Sequence, residues 1–269
     1  MKVLDWEAWT GRDLDAVRPA SVTVGVFDGV HIGHRALIGR VLALPGDWDR
    51  TAVTFRQNPK GLLRPGTFHG AVSSLEQKLE SLEEAGIGTC VLIDFSGNFS
   101  RLAGVEFLTA LSAGGGARYL AIGSDFRCGH RLSTDATGVR VICAALGVAT
   151  EIVEPVMYHG RAVSSSRIRR AVQVGRLPDA SAMLGRPYAL DLRGLTPEPH
   201  SGALRYHGIR QVLPPPGMYV TEASDGRGWR RTPFRVLPGG SVIIEHAGEE
   251  RPAILRFSIT RQAMKLQGV

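Results

Sequence analysis

Short apolar, β-branched runs alternate with stretches of helical period along the first two thirds of the chain. SVTVGVF (Ser21 to Phe27), RTAVTF (Arg50 to Phe55), TCVLIDF (Thr89 to Phe95), RYLAIG (Arg118 to Gly123) and TEIVEP (Thr150 to Pro155) are bounded by Gly, Asp or Pro. Runs of this length and make-up predict buried strands of a parallel sheet. Between them, SSLEQKLESLEEAG places Leu75, Leu79 and Leu82 on one helical face and stops at Gly86, and EFLTAL and RVICAAL carry further amphipathic helices. Strands alternating with helices predict an α/β fold with right-handed crossovers. After LGRPYAL the texture changes: prolines gather at 197, 199 and 214 to 216, and GMYVTEA, RTPFRVL, SVIIEHA and AILRFSI read as short antiparallel strands. The pattern therefore predicts a boundary near residue 188, with an α/β domain over 1–187 and a small antiparallel β domain over 188–269.

Composition narrows the class. A chain of 269 residues with 43% apolar content can bury a substantial core. Three cysteines, Cys90, Cys128 and Cys143, are an odd number without metal-like spacing, so neither a disulfide framework nor a zinc site is expected, and a reducing cytoplasm is. The opening MKVLDWEAWTGRD is acidic and polar where a signal peptide would be basic and then apolar, and no apolar run reaches membrane-spanning length, so no membrane partner is expected. A net charge of +7 suits anionic ligands. Its arginines are spread along the chain without a basic tail or a recognisable nucleic-acid module, so the expected partners are small anions and not nucleic acid. The sequence leaves the oligomeric state open.

The candidate chemistry sits in SVTVGVFDGVHIGHRALIGRVLAL, a strand, a tight glycine turn and a helix. Such a unit delivers a ligand to the carboxyl edge of a parallel sheet, where the helix start offers backbone N–H groups and a positive dipole end. Gly25 and Gly29 let the backbone approach a ligand closely, and Phe27 and Asp28 lie between them. His31 and His34, three residues apart, can share one face of the helix start and hold phosphate oxygens through imidazole N–H groups. The same pair can also be a surface pair or a helix cap. Zinc is a third use, for which two histidines bring too few of the three or four protein ligands such a site takes.

A second constellation lies in VSSSRIRRAVQVG, Val163 to Gly175. Ser164 or Ser165 can cap a helix, and Ser165 and Ser166 with Arg167, Arg169 and Arg170 offer hydroxyls and guanidinium forks to a polyphosphate. The two motifs are expected to converge on the triphosphate of a nucleotide.

These residues resemble the nucleotidyltransferase superfamily, and in particular the FAD synthetase (FMN adenylyltransferase) module of the bifunctional riboflavin kinase/FAD synthetases. GVFDGVHIGHRALI is similar to that family's Gly-x-Phe-Asp-Gly-x-His-x-Gly-His segment, TFRQNPKGLLRP to its Thr-Phe-x-Pro-His-Pro loop, and SLEQKLESLEEAGI to the helix that follows. IGSDFRCG resembles its Gly-x-(Asn/Asp)-Phe-x-Phe-Gly stretch, and VSSSRIRRAVQVGRLPDASAMLGRPY its Ser-Ser-Thr-x-Ile-Arg helix and closing Leu-Gly-Arg-Pro-Tyr. The resemblance covers about residues 20 to 190. The literal His-Ile-Gly-His is shared with class I aminoacyl-tRNA synthetases, whose Lys-Met-Ser-Lys-Ser-like loop has no counterpart here.

The resemblance implies a Rossmann-like nucleotidyltransferase domain that uses ATP and FMN with Mg2+ to make FAD and pyrophosphate. It implies catalytic roles for His31, His34 and Arg169, and nucleotide binding by Gly25, Phe27, Asp28, Gly29, Asp125, Ser165 and Ser166. It places Asn58 and Pro59 on the flavin side. Magnesium is expected to arrive on ATP, with Asp125 as its nearest protein carboxylate and no dedicated protein cluster. The family's Glu-Pro-His-Pro is Arg56, Gln57, Asn58 and Pro59 here, which removes a histidine and adds a positive charge. Cys128 stands for a usual aromatic residue and Ser166 for a usual threonine.

The second domain of the bifunctional enzymes is a β-barrel with a Gly-Phe-Pro-Thr-Ala-Asn kinase motif. Residues 188–269 lack that motif, and PPPGMYVTEA is similar only to the barrel's Pro-x-Gly-x-Tyr strand. The expectation is a degenerate barrel-like module without riboflavin kinase activity. Two alternatives stay open from the sequence: a nucleotidyltransferase with another phosphorylated acceptor, and a non-catalytic nucleotide- or flavin-binding protein.

Overall fold

The computed structural model describes residues 1–12, 17–95, 98–224, 226, 228–245 and 252–257. The chain forms two compact units, one of residues 1–65 and 78–163, the other of residues 66–77 and 164–269.

The first unit is built on six parallel strands: β1 (Lys2–Asp5), β2 (Ala20–Val24), β3 (Asp49–Phe55), β4 (Thr89–Ile93), β5 (Ala117–Gly123) and β6 (Ala149–Val153). Their order across the sheet is β1, β4, β3, β2, β5, β6, and every neighbouring pair is parallel. The apolar runs predict five of these strands. The sixth, β1, lies in the polar N-terminal stretch; as a four-residue edge strand it has a largely exposed pattern and so no apolar run to betray it. SVTVGVF is strand only as far as Val24, because the backbone turns left-handed at Phe27 (φ 49°).

The helices are α1 (Trp6–Thr10), α2 (Ile32–Leu42), α3 (Pro59–Leu63), α4 (Leu75–Glu84), α5 (Gly104–Ser112) and α6 (Ala136–Ala145). On α4 the buried residues are Lys78, Ser81 and Leu82, whereas Leu75 and Leu79 are half-buried. A lysine thus takes a core position on this helix. Around the sheet, Trp6 stacks on Phe107 with ring centroids 5.2 Å apart, and Trp9, Leu108, Leu111, Val22 and Leu120 join the same core.

All three cysteines are buried and free. Burial pushes the Cys90 thiol up to about 12 and the Cys128 thiol up to about 11, and raises Cys143 as well. Because the thiolate is the reactive species, these groups are inert at neutral pH. The folded protein should therefore consume no Ellman's reagent within minutes, and the denatured protein should consume it at all three cysteines; rapid colour from the native protein would contradict this packing.

The second unit contains α7 (Ser165–Gln173), α8 (Leu177–Leu184) and a seven-stranded antiparallel sheet. Its strands are β7 (Ala189–Asp191), β8 (Glu198–His200), β9 (Ala203–Tyr206), β10 (Gly217–Ser224), β11 (Trp229–Val236), β12 (Val242–Glu245) and β13 (Ile254–Phe257), in the order β7, β13, β10, β11, β12, β9, β8. Pro199 falls in β8, an edge strand, where its missing N–H costs no ladder bond. Phe234, Phe257 and Tyr188 fill the inner face, with Phe234 edge-on to Phe257 at 5.5 Å. The ends of two predicted strands, His246 to Ala247 and Ser258 to Ile259, lie outside the described residues. The fold is thus the predicted one, a Rossmann-like parallel sheet followed by an antiparallel β domain.

Among the described residues, no helix is long and apolar enough to cross a membrane.

Candidate active site

After β2 the chain passes to β3 and β4 on one side of it, and later to β5 and β6 on the other. Strand order therefore reverses between β2 and β5, and the carboxyl ends of two such strands open the crevice in which α/β sheets bind ligands. Gly25 to His34 follows β2 at that point, Asp125 follows β5, and Arg56 to Pro59 follows β3.

The turn after β2 is held under strain. Phe27, Gly29 and Val30 all have positive φ, at 49°, 90° and 39°. Gly29 adopts this without cost, whereas a β-branched valine there is an outlier of the kind that persists only where its surroundings fix it. Those surroundings are dense: Phe27 and Val30 are completely buried and Asp28 nearly so. Gly25 N–H donates to the Val53 carbonyl at 3.1 Å and the Thr54 hydroxyl to the Val26 carbonyl at 3.0 Å, so β3 braces the turn from the side.

At the helix start, His31 is the N-cap of α2 and His34 its third helical residue. His31 Nδ1 accepts the His34 backbone N–H, and His34 Nδ1 accepts the His31 backbone N–H, each at 3.3 Å. The two imidazoles stack with centroids 3.6 Å apart, and His34 rests edge-on against Phe27 at 5.0 Å. This is a capping box made of two histidines. It also selects the tautomer: a nitrogen that accepts an N–H carries no proton, so each neutral ring bears its proton on Nε2. Capping therefore engages only the Nδ1 edge of each ring. Among the described residues, no three His, Cys, Asp or Glu side chains gather as a metal-ligand set.

The loop after β3 meets the same motif. Asn58 caps α3 through Lys60 N–H at 3.1 Å, and its Nδ2 donates to Asp28 Oδ2 at 3.3 Å. Pro59 is the first residue of α3, where a missing N–H is harmless. Arg56, the added positive charge, pairs with Asp5 and, at 3.2 Å, with Asp94. Its charge is offset by two carboxylates from other parts of the sheet edge.

Lys78 is the polar residue that pattern reading misses. It is 6% exposed, and its ammonium donates to the Phe55 carbonyl at 2.7 Å, at the end of β3. Burial pushes its pKa below the ordinary range, while the charge of Asp28 pulls it back up. The only sequence signal is its four-residue spacing to Leu82, which puts it on the apolar side of α4. Asp125 lies exposed in the turn after β5, its carboxylate folded back toward Gly123.

In the second unit, Ser164 is the N-cap of α7 and accepts Arg167 N–H at 3.3 Å. Ser165 and Ser166 form the first turn of that helix, half-buried and exposed respectively. Ile168, Ala171 and Val172 face inward and anchor the helix. Arg169 is half-buried; its Nε donates to the Gly70 carbonyl at 2.7 Å and its guanidinium lies over the Phe68 ring at 5.0 Å. The sequence does not connect Phe68 and Gly70 with Arg169, because they lie about a hundred residues earlier.

A parallel sheet that presents a paired-histidine helix start at its switch point belongs to a nucleotidyltransferase, and comparison with known proteins agrees. The sequence model described as FAD synthetase matches residues 14–167, and the chain belongs to that family. Among its relatives, the FAD synthetase of Listeria monocytogenes is 24% identical over 208 residues, which is 77% of this chain and 82% of that one. The bifunctional riboflavin kinase/FMN adenylyltransferase of Bacillus subtilis is 27% identical over 216 residues, 75% of this chain and 66% of its own length. The protein of the same description from Escherichia coli K12 is 27% identical over 213 residues, 75% and 67% of the two chains. A solved structure described as a macrolide-efflux protein from Streptococcus pneumoniae superposes with a TM-score of 0.82 at 20% identity, covering 100% of this chain and 94% of that one, and shows the same fold.

Proposed function

We propose that the protein transfers the AMP of ATP to FMN, giving FAD and pyrophosphate, and that it has no riboflavin kinase activity. The observation that carries this reading is the histidine capping box at the start of α2, which uses Nδ1 of each ring and so supports Nε2–H as the donor to a phosphate. An oxygen of the FMN phosphate attacks the α-phosphorus of ATP, a new P–O–P bond forms, and the α–β bond breaks to release pyrophosphate. A phosphomonoester has its second pKa at about 6, so the nucleophile is already largely dianionic at neutral pH and no strong base is needed. What the protein must supply is alignment of two anions and stabilisation of charge on the leaving pyrophosphate.

His31, His34, Arg169, Ser165 and Ser166 would contact the phosphates. Gly25, Phe27, Asp28, Gly29 and Asp125 would shape the nucleotide site, and Asn58 and Pro59 the flavin side. Mg2+ suits a site of this kind, since it takes one or two carboxylates together with substrate phosphates. Asp125, exposed after β5, would contribute a ligand, and the ion would neutralise charge on the phosphates. The linking of Asn58 to Asp28 and the pairing of Arg56 with acidic residues support FMN as acceptor in spite of the altered loop. We assign residues 1–187 to the transferase domain and 188–269 to a reduced riboflavin-kinase-like module.

The test is incubation of the purified protein with ATP, Mg2+ and FMN, following FAD and pyrophosphate together. Equal amounts of both are expected, and riboflavin in place of FMN should give no FMN. Pyrophosphate release only with a different phosphorylated acceptor, or nucleotide binding without turnover, would overturn the transfer reading. FMN made from riboflavin would overturn the second half.

A further inference from the structure

Arg169 is oriented by a loop that is itself held by the C-terminal part of the chain. Two partners of Arg169, the Gly70 carbonyl and the Phe68 ring, belong to residues 66–71. This loop runs beside residues 210–212 as a short parallel bridge: Ala71 N–H donates to the Arg210 carbonyl at 3.0 Å, and Val212 N–H to the Ala71 carbonyl at 2.8 Å. At Gly70 (φ 98°) the approach is so close that a Cβ would sit 2.8 Å from the Gln211 carbonyl carbon and the Val212 nitrogen. No other residue fits that backbone without displacing it.

The Gln211 side chain ties the arrangement together. It is 6% exposed, and both polar atoms of its amide are engaged. Nε2 faces the Val72 carbonyl (3.1 Å), the Gln77 side-chain oxygen (3.0 Å) and the Ala189 carbonyl (3.0 Å), while Oε1 accepts Asp191 N–H at 2.7 Å. One buried amide thus joins the loop 66–77 to β7. Ser74 and Arg193 add hydrogen bonds to Asp191; burial alone would raise that carboxyl, and these bonds hold it below the ordinary range. The Tyr188 hydroxyl donates to the Val212 carbonyl at 2.6 Å from the other side.

We infer that residues 210–212, with Gln211 at their centre, are a positioning element for Arg169: they hold Gly70 and Phe68 where these fix the guanidinium. The C-terminal region then serves the transfer reaction through this bridge, independently of any kinase motif. The inference rests on the reading that Arg169 contacts the triphosphate. Misplacement of a positioning group by about 1 Å can cost up to about 100-fold in rate, so partial loss of this support should cost about tenfold.

The experiment is a double-mutant cycle in the full-length protein. Gln211→Met keeps the side-chain length and removes the hydrogen bonds of the amide. Phe68→Leu removes only the ring, and serves in place of the first variant should that one fail to fold. Either is expected to lower kcat for FAD formation about tenfold per folded molecule, with KM for FMN changed less than twofold, and to cause no further loss in an Arg169→Lys background. A second readout is independent of turnover: the Arg169 Nε–H resonance, assigned by its disappearance in Arg169→Lys, should be protected from exchange in the wild type and lose that protection in the variant. Equal kcat losses in both backgrounds, or an unchanged Nε–H signal, would overturn the inference. Unchanged FAD formation in Arg169→Ala would overturn the underlying reading of Arg169, leaving the resonance to decide the positioning alone.

Discussion

Replacing His34 by alanine is expected to lower kcat for FAD formation by about 10²- to 10³-fold, the usual cost of removing one donor aimed at developing charge. The expected structural cost is small. His34 contributes half of a capping box, whose loss is worth about 1 kcal/mol. In a chain of this size that shifts the melting temperature by about 2 to 4 °C. The two effects separate through the ring geometry, since Nδ1 accepts the His31 N–H and the proposed phosphate donor is Nε2. His34→Glu makes the separation measurable. Glutamate at the third helical position is an ordinary capping-box partner, so this variant should melt close to the wild type. It brings a negative charge to the place where phosphate is expected, so its activity should fall at least as far as that of the alanine variant. A glutamate variant with kcat within threefold of the wild type would remove His34 from the chemistry and leave it a cap.

The parts of this site that the sequence reveals are those made by local chain geometry. The strand, glycine turn and helix around His31 and His34 are contiguous, and their periods and turn residues are visible within about two dozen letters. Even there, the apolar run extends to Phe27 while the strand ends at Val24, because three positive φ values in the turn depend on packing that the letters do not encode. Capping and phosphate binding stood as rival uses of the two histidines. The structure makes the cap a fact without excluding the other, since the two uses fall on opposite ring edges.

Features that depend on distant partners were not legible. Arg56 reads as an uncompensated charge in the flavin loop, and its partners Asp5 and Asp94 come from the ends of β1 and β4, which only sheet order brings near it. Lys78 reads as a solvated residue of an amphipathic helix, but its ammonium is drawn in by the Phe55 carbonyl and the charge of Asp28. Gln211 sits in a proline-rich stretch with no local pattern, although its amide is satisfied by groups from two separate segments. Polar residues that take core positions are invisible to a reading based on apolar period, and in this chain several of them lie beside candidate site residues.

The second large effect is expected at Arg169. Arg169→Lys keeps the charge but gives up the planar fork and the Nε–H that donates to Gly70. Lysine carries its charge on a flexible stem with no fixed orientation, so the exchange is not conservative where two oxygens must be met together. Arg169→Ala removes both charge and fork, and its kcat/KM for ATP should fall by about 10²- to 10³-fold, with lysine between alanine and wild type. Neither variant should unfold, because α7 is anchored by Ile168, Ala171 and Val172, which lie on its buried side. Added guanidinium ion should restore part of the alanine variant's activity and none of the lysine variant's, since only alanine leaves room for a free fork beside the Phe68 ring. A lysine variant as active as the wild type would mean that a point charge suffices, and with it would go the argument that the Gly70 carbonyl and the Phe68 ring are there to aim a guanidinium.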